Sequence, residues 1–339
     1  MAWTWNAIWR LLRVHSKGVV SGMKACDCVV CGEACVDLIL RPLRLGRPLL
    51  DSHTQHIEPI RLVTGGIVPN AGIAMSRLGT RVDAICVLGD DAWGSFLREQ
   101  LGKEGVGTTA VETRTETATS ATAVLIAEDG EHMFAFHAGA SQQINRQSCL
   151  SQLDLFAQAR IALLGYYHLL PYLEEDLPEV LQAIRNVGCQ TALDTANGGG
   201  ALQPLDRILP HLDFYIPSFV EGQQQTGHSD PQEMIRTYRN YTESAVLGIK
   251  RGADGVLLSP SREEFLDVPA VAPPGPVVDT TGAGDAFIAG MISGLLRDLD
   301  LPDAARVGAA AGACCVTGRG GSQALRNWER TTQLLQDST

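Results

Sequence analysis

DTTGAGDAFIAGMISGLL, residues 279–296, opens on Asp279, follows it with two threonines, two glycines and a second acid, Asp285, and runs on into an apolar segment. The apolar spacing predicts a helix starting near Ala283, so the N–H groups of its first turn lack intrahelical partners and face whatever lies in front of them. Gly282 and Gly284 allow a backbone approach that side chains resist, and Thr280 and Thr281 add hydroxyls beside the turn. Asp285 then reads in two ways. Either it caps the helix, or it accepts a proton from an alcohol while N–H groups around Gly282, Ala283 and Gly284 meet the charge of a transferred phosphoryl group. Aspartate is a weak base, so on the second reading proton removal accompanies transfer and position matters more than basicity. The glycine-to-lysine spacing of a Walker A loop is absent.

The elements around this stretch alternate. Residues 26–40, CDCVVCGEACVDLIL, read as a strand, a glycine turn and more extended chain, and IVPNAGIAMSRLG (67–79) carries Ile67, Ala71, Ala74, Met75 and Leu78 at near-helical spacing. A strand at 82–89 and a helix at 91–105 follow. Strands are expected again at 159–170, 189–196 and 213–219, with helices at 176–188 and 231–241, a glycine-turned strand pair at 244–260 and a last helix at 301–318. Repeated β-then-α units predict a single α/β domain over 24–335, a three-layer αβα sandwich with a mainly parallel sheet. Two regions break the rhythm. Residues 38–63 lack a helical period, and 115–138 surround a turn at Glu128, Asp129 and Gly130 with β-branched and aromatic residues. Together they predict a small accessory β-sheet lid, whose Phe134 and Phe136 pack against a ligand, against a partner subunit or between layers.

Composition narrows the function classes. Net charge is −11, from 27 basic and 38 acidic residues, which argues against nucleic acid as a partner while leaving room for anions bound by backbone N–H groups. Of the nine cysteines, Cys26, Cys28, Cys31 and Cys35 cluster, and they read as thiols of a buried strand with Cys26 and Cys28 on one face, rather than as a zinc or iron–sulfur site. Residues 1–23 hold three of the five tryptophans in a basic amphipathic pattern. They read as an extension outside the fold, with Met23 an alternative start and with a peripheral anchor or targeting segment as the other readings. No apolar run reaches the length of a membrane span, so stable membrane insertion is not expected and a cytoplasmic location is.

DTTGAGDAFIAG resembles the C-terminal pattern of the ribokinase or PfkB-type carbohydrate kinases. GGIVPNAGIAMSRLG (65–79), followed by GDDAWG (89–94), is similar to their N-terminal region, and the likeness runs from about Cys26 to Gln333. By position, it implies that Asp285 is the catalytic base and Gly282, Ala283 and Gly284 the anion hole. Asp37 in GEACVD, with Gly65, Gly66 and Asn70, matches sugar-contacting positions. The bland readings are a turn cap for Asp37 and a helix cap for Asn70. Glu221 matches a residue that organises Mg²⁺, although Ser218 stands where the family often has asparagine, and its bland reading is an exposed helix-start residue.

On the nucleotide side, GIKRGADG implies Gly252, Gly255, Thr281 and Gly312 beside ATP, with either Lys250 or Arg251 meeting phosphate. Asp194 and Asn197 in LDTANGGG lie where some relatives carry a basic continuation that is missing here. The resemblance implies ATP as phosphoryl donor with Mg²⁺, K⁺ or another monovalent cation near Asp279–Thr281, and a primary hydroxyl of a sugar or sugar acid as acceptor. A nucleoside kinase is the enzymatic alternative, and a catalytically weak carbohydrate- or nucleotide-binding regulator the non-enzymatic one. An exposed lid sheet gives homodimerisation a physical motive.

Overall fold

In the computed structural model, residues 25–44, 54–128, 131–196 and 201–336 are described. The expected extension at 1–23, the turn residues Asp129 and Gly130, and Asn197 with the glycines after it lie outside them.

Fourteen strands build the described sheets: β1 Cys28–Gly32, β2 Cys35–Leu43, β3 Arg61–Gly65, β4 Val82–Ile85, β5 Val87–Gly89, β6 Glu112–Arg114, β7 Ala121–Ala127, β8 His132–His137, β9 Ile161–Gly165, β10 Gln190–Asp194, β11 Phe214–Tyr215, β12 Val246–Lys250, β13 Val256–Ser259 and β14 Leu266–Val268. Eight of them form the central sheet, in the order β14-β13-β12-β11-β10-β9-β1-β4. From β12 to β4 all neighbours are parallel, whereas β13 and β14 join antiparallel at one edge. Central strands are buried on both faces, so β1 reads as an unbroken apolar run. Its Cys28 and Val30 pack into one core, and its Val29 and Cys31 into the other.

The first core is closed by helices α1 Ile67–Arg77, α9 Ala283–Leu295 and α10 Leu301–Cys315. The second is closed by α5 Leu177–Asn186 and α8 Pro231–Arg239. The other described helices are α2 Ala92–Lys103, α3 Arg146–Leu150, α4 Leu153–Ala157, α6 Leu205–Ile208, α7 Phe219–Thr226 and α11 Trp328–Gln336. One detail of the cysteine reading is corrected. The strand starts only at Cys28, because Asp27 and Cys28 first bond to the Arg81 carbonyl, and Cys26 packs in the core opposite to Cys28. All nine cysteines are buried, and none forms a disulfide among the described residues.

The lid is a four-stranded sheet in the order β3-β2-β7-β8. Strand β2 follows β1 after two residues, so the lid is rooted directly at the edge of the core rather than on a linker. Every residue of β8 is exposed. Among the described residues no helix is long and apolar enough to cross a membrane.

Register decides where chemistry can gather. Gly32 pairs with Gly165, and Gly165 with Asp194, so β1, β9 and β10 end at one level. Their continuations, Glu33, Tyr166 and Thr195, leave the sheet together at the carboxyl rim, where ligands of open parallel sheets bind.

Candidate active site

Asp285 sits in the first turn of α9, which starts after Gly282 in the left-handed region (φ 74°) and has no side-chain cap. It is buried, and its hydrogen bonds leave the helix: Asn70 Nδ2 donates to Oδ2 at 2.9 Å, and the Tyr166 hydroxyl donates to Oδ1 and Oδ2 at 2.9 and 2.8 Å. The cap reading of Asp285 therefore gives way to a tertiary cluster. Burial, followed by the negative charge of Asp194, pushes its pKa up to about 6, while Asn70, Tyr166 and Lys250 oppose the rise. Asn70 is not a cap either, because α1 begins after Gly66 and Asn70 lies inside it.

Close packing holds the turn. A Cβ on Gly282 would stand 2.3 Å from the Gly321 Cα, and one on Gly321 would stand 2.3 Å from Asn70 Oδ1. The turn, the late glycine loop and Asn70 thus form one stack that side chains would break. Asp279 braces it further by accepting from Thr281 N at 2.9 Å and Gly320 N at 3.0 Å.

Lys250 and Arg251 point in different directions. Lys250 at the end of β12 donates to Asp194 Oδ1 at 3.0 Å, and a Cβ on Gly284 would lie 3.3 Å from its Nζ. Arg251 turns away to Asp267. Burial works against the Lys250 charge, but Asp194, Glu221 and Asp285 outweigh it and its pKa is raised, so a cation stands beside the start of α9. Glu221 corrects the exposed reading, because it is only 7% exposed. It forms a capping box with Ser218 at the head of α7: its Oε2 accepts from Ser218 N at 2.7 Å and its own N–H donates to Ser218 Oγ at 3.3 Å. Burial raises the Glu221 pKa, with Lys250 opposing.

Asp37 lies within β2, so the turn-cap reading fails, and burial raises its pKa. Gly65 does not line the cleft. A Cβ there would fall 2.3 Å from Asp37 Oδ2, so the missing side chain is the seat of that carboxylate. Gly66 lines the cleft and does the same for Glu33, whose Oε2 would lie 2.4 Å from an added Cβ. Glu33 is buried, its Oε1 has no hydrogen-bond partner, and burial pushes its pKa up to about 8.

One cleft of about 1830 Å³ connects these groups. It runs from Phe134 and Phe136 on the lid past Asp37, Glu33, Asn70, Tyr166 and Asp285 to Lys250, Glu221, Gly252, Gly255, Thr281 and Gly312. Glu33 and Tyr166 were missed by sequence reasoning. For Glu33 a signal existed, an acid directly after a buried strand and four residues before Asp37. Tyr166 carried none, since paired tyrosines after an apolar strand read as core.

Residues 26–328 match the family described as pfkB family carbohydrate kinase. The chain belongs to that family. Among curated pfkB-like relatives, the aminoimidazole riboside kinase of Salmonella typhimurium is 31% identical, over 77% of this chain and 84% of its own. The 2-dehydro-3-deoxygluconokinase of Bacillus subtilis is 28% identical, covering 80% and 86%. The ribokinase of Haemophilus influenzae is 25% identical, covering 81% and 88%. The fold is shared with the solved ribokinase of Arabidopsis thaliana complexed with ribose and ATP, at a TM-score of 0.80 and 22% identity over 92% of this chain and 99% of that one.

Proposed function

We propose that the chain transfers the γ-phosphoryl group of ATP to a primary hydroxyl of a sugar or sugar-like alcohol. The observation that carries this reading is the buried Asp285 carboxylate at the head of α9, facing a cleft that also holds Lys250 and the N–H groups of the Gly282–Gly284 turn. The alcohol oxygen forms a bond to the γ-phosphorus as the bond to the ADP oxygen breaks. The alcohol proton passes to Asp285, and the electron pair of the broken bond leaves on ADP. Lys250 and the first turn of α9 meet the negative charge on the transferred group. Asp37 and Asn70 hold the acceptor's hydroxyls.

Two hard carboxylates, Asp194 and Glu221, flank Lys250 at the nucleotide end of the cleft, and this donor set fits Mg²⁺ held largely through water. When bound, the ion neutralises phosphate charge. Asp279 commits both carboxylate oxygens to backbone N–H groups, so a monovalent ion beside Asp279–Thr281 would rest on carbonyl oxygens.

Phe134 and Phe136, exposed by 52% and 43% on the cleft side of the lid, support a nucleoside acceptor as the second reading, since they offer a wall for a base. Exposed Met133 and Ile60 support self-association through the lid. The deciding experiment is a screen of D-ribose, D-fructose, 2-keto-3-deoxygluconate and adenosine for Mg²⁺–ATP consumption, with the phosphorylated product identified. Adenosine phosphate alone would move the assignment to the nucleoside reading. ATP and ligand binding without any phosphorylated product would favour the binding regulator.

A further inference from the structure

We infer that Tyr166 is a positioning residue for the transfer step, its hydroxyl holding the Asp285 carboxylate in the orientation that receives the acceptor's proton. The inference rests on the kinase reading above and adds to it a residue that no motif marks. Both hydrogen bonds of the phenol go to Asp285, at 2.9 Å to Oδ1 and 2.8 Å to Oδ2. One donor bridging two oxygens fixes the plane of a carboxylate, and Asn70 Nδ2 on Oδ2 fixes it from the other side.

The backbone places it there against its preference. Tyr166 has φ 61° and ψ 38°, the left-handed region, and besides glycines only Asp298 shares a positive φ among the described residues. Glycine would make that turn without strain. The conformation swings the chain off the end of β9, with Tyr166 N donating to the Asp194 carbonyl at 3.0 Å, and the hydroxyl reaches Asp285 in the first turn of α9. Local strain retained where a side chain reaches a reactive carboxylate is the pattern of a functional site.

The groups facing Asp285 from each packed element set the sign of the test. Asp194 at the end of β10 raises its pKa, and Glu33 after β1 repels it when both are ionised. Lys250 of β12, Asn70 of α1 and Tyr166 lower it. Cys315 of α10 is a neutral thiol, its pKa pushed up to about 12. Removing the phenolic donor therefore raises the pKa of Asp285 above about 6. During transfer Tyr166 keeps its own proton, and only the alcohol's proton moves to Asp285.

The test compares Tyr166→Phe with wild type in the full chain, using whichever screened alcohol turns over. The expected result is a kcat lower by roughly 10–100-fold, KM within about threefold, and an acidic limb of the rate profile displaced to higher pH. The exposed Tyr172→Phe is the control and should match wild type. A wild-type kcat and an unmoved acidic limb in Tyr166→Phe would overturn the inference while leaving the kinase reading intact. No turnover by wild type with any alcohol would remove both. The double variant Tyr166→Phe/Asp285→Asn separates positioning from folding: if Tyr166 acts through Asp285, it turns over no more slowly than Asp285→Asn alone, and a further tenfold loss would overturn the inference.

Discussion

At the scale of single residues, the site is a set of acids held where burial disfavours their charge. Asp285 titrates near 6 in the folded chain, above its ordinary value of 3.8. Its protonated form therefore stabilises the fold at pH below about 4, and that contribution is lost as pH rises through about 6. Under the proposed role activity runs the other way, since a base must be ionised, and kcat/KM should fall below about pH 6. Asp285→Asn should thus cost about 10²–10⁴-fold in kcat while preserving ATP affinity. It should also raise the unfolding midpoint at pH 7.5, because the ionised carboxylate costs the fold on the order of 3 kcal/mol. Unchanged turnover would remove Asp285 from the base role. Glu33 repeats the logic higher on the scale: its stabilising protonated form is present below about 4.5 and is lost as pH rises through about 8. Urea unfolding of Glu33→Gln should accordingly show a gain over wild type that is larger at pH 9 than at pH 6.

At the scale of elements, what matters is how strand ends, helix starts and missing side chains interlock. Gly66 (φ 85°) precedes α1 and leaves the space filled by the Glu33 carboxyl. Gly66→Ala should lose roughly 1–3 kcal/mol of stability together with acceptor binding. Gly188 has a similar φ, 81°, but nothing within 4 Å of an added Cβ. Gly188→Ala should cost only about 1 kcal/mol with kinetics intact, and equal kinetic defects in the two variants would refute the seat assigned to Gly66. The head of α7 gives a second comparison. Ser218→Ala should lose about 1 kcal/mol by removing the capping hydroxyl, whereas Ser218→Asn, which also caps, should stay close to wild type in chemical denaturation. Most of this level was legible in the chain, because βα alternation, the helix that carries Asn70 and the glycine turn before Asp285 are short-range patterns. The partners of each end were not: the Asn70 reading as a cap failed because the helix already starts after Gly66, and the Glu221 reading as a surface acid failed because its burial depended on which elements lay around it.

At the scale of the whole molecule, the lid covers one end of a continuous cleft and presents an apolar strand on both faces. Phe134 and Phe136 line the cleft, and Met133 projects from the same exposed strand β8. Because β8 is exposed throughout, Phe134→Ser/Phe136→Ser should raise the acceptor KM by about tenfold while shifting the unfolding midpoint by no more than about 2 °C, within the small range of surface substitutions. Sedimentation should give twice the chain mass for wild type and a shift toward monomer for Met133→Lys; a monomer at all concentrations would exclude the lid-mediated pair.

The sequence by itself determined the alternating layers, the lid as two interruptions of that rhythm, and the turn that places Asp285 at a helix head. These follow from periodicity and from glycine's backbone freedom, which act over a few residues. Only the tertiary structure decided that Lys250 and not Arg251 faces the turn, that Gly65 and Gly66 are seats for carboxyls, and that Tyr166 reaches Asp285 across 119 positions. Those relations depend on register between distant strands, which brings Gly32, Gly165 and Asp194 to one level, and no local pattern encodes which strand ends will meet.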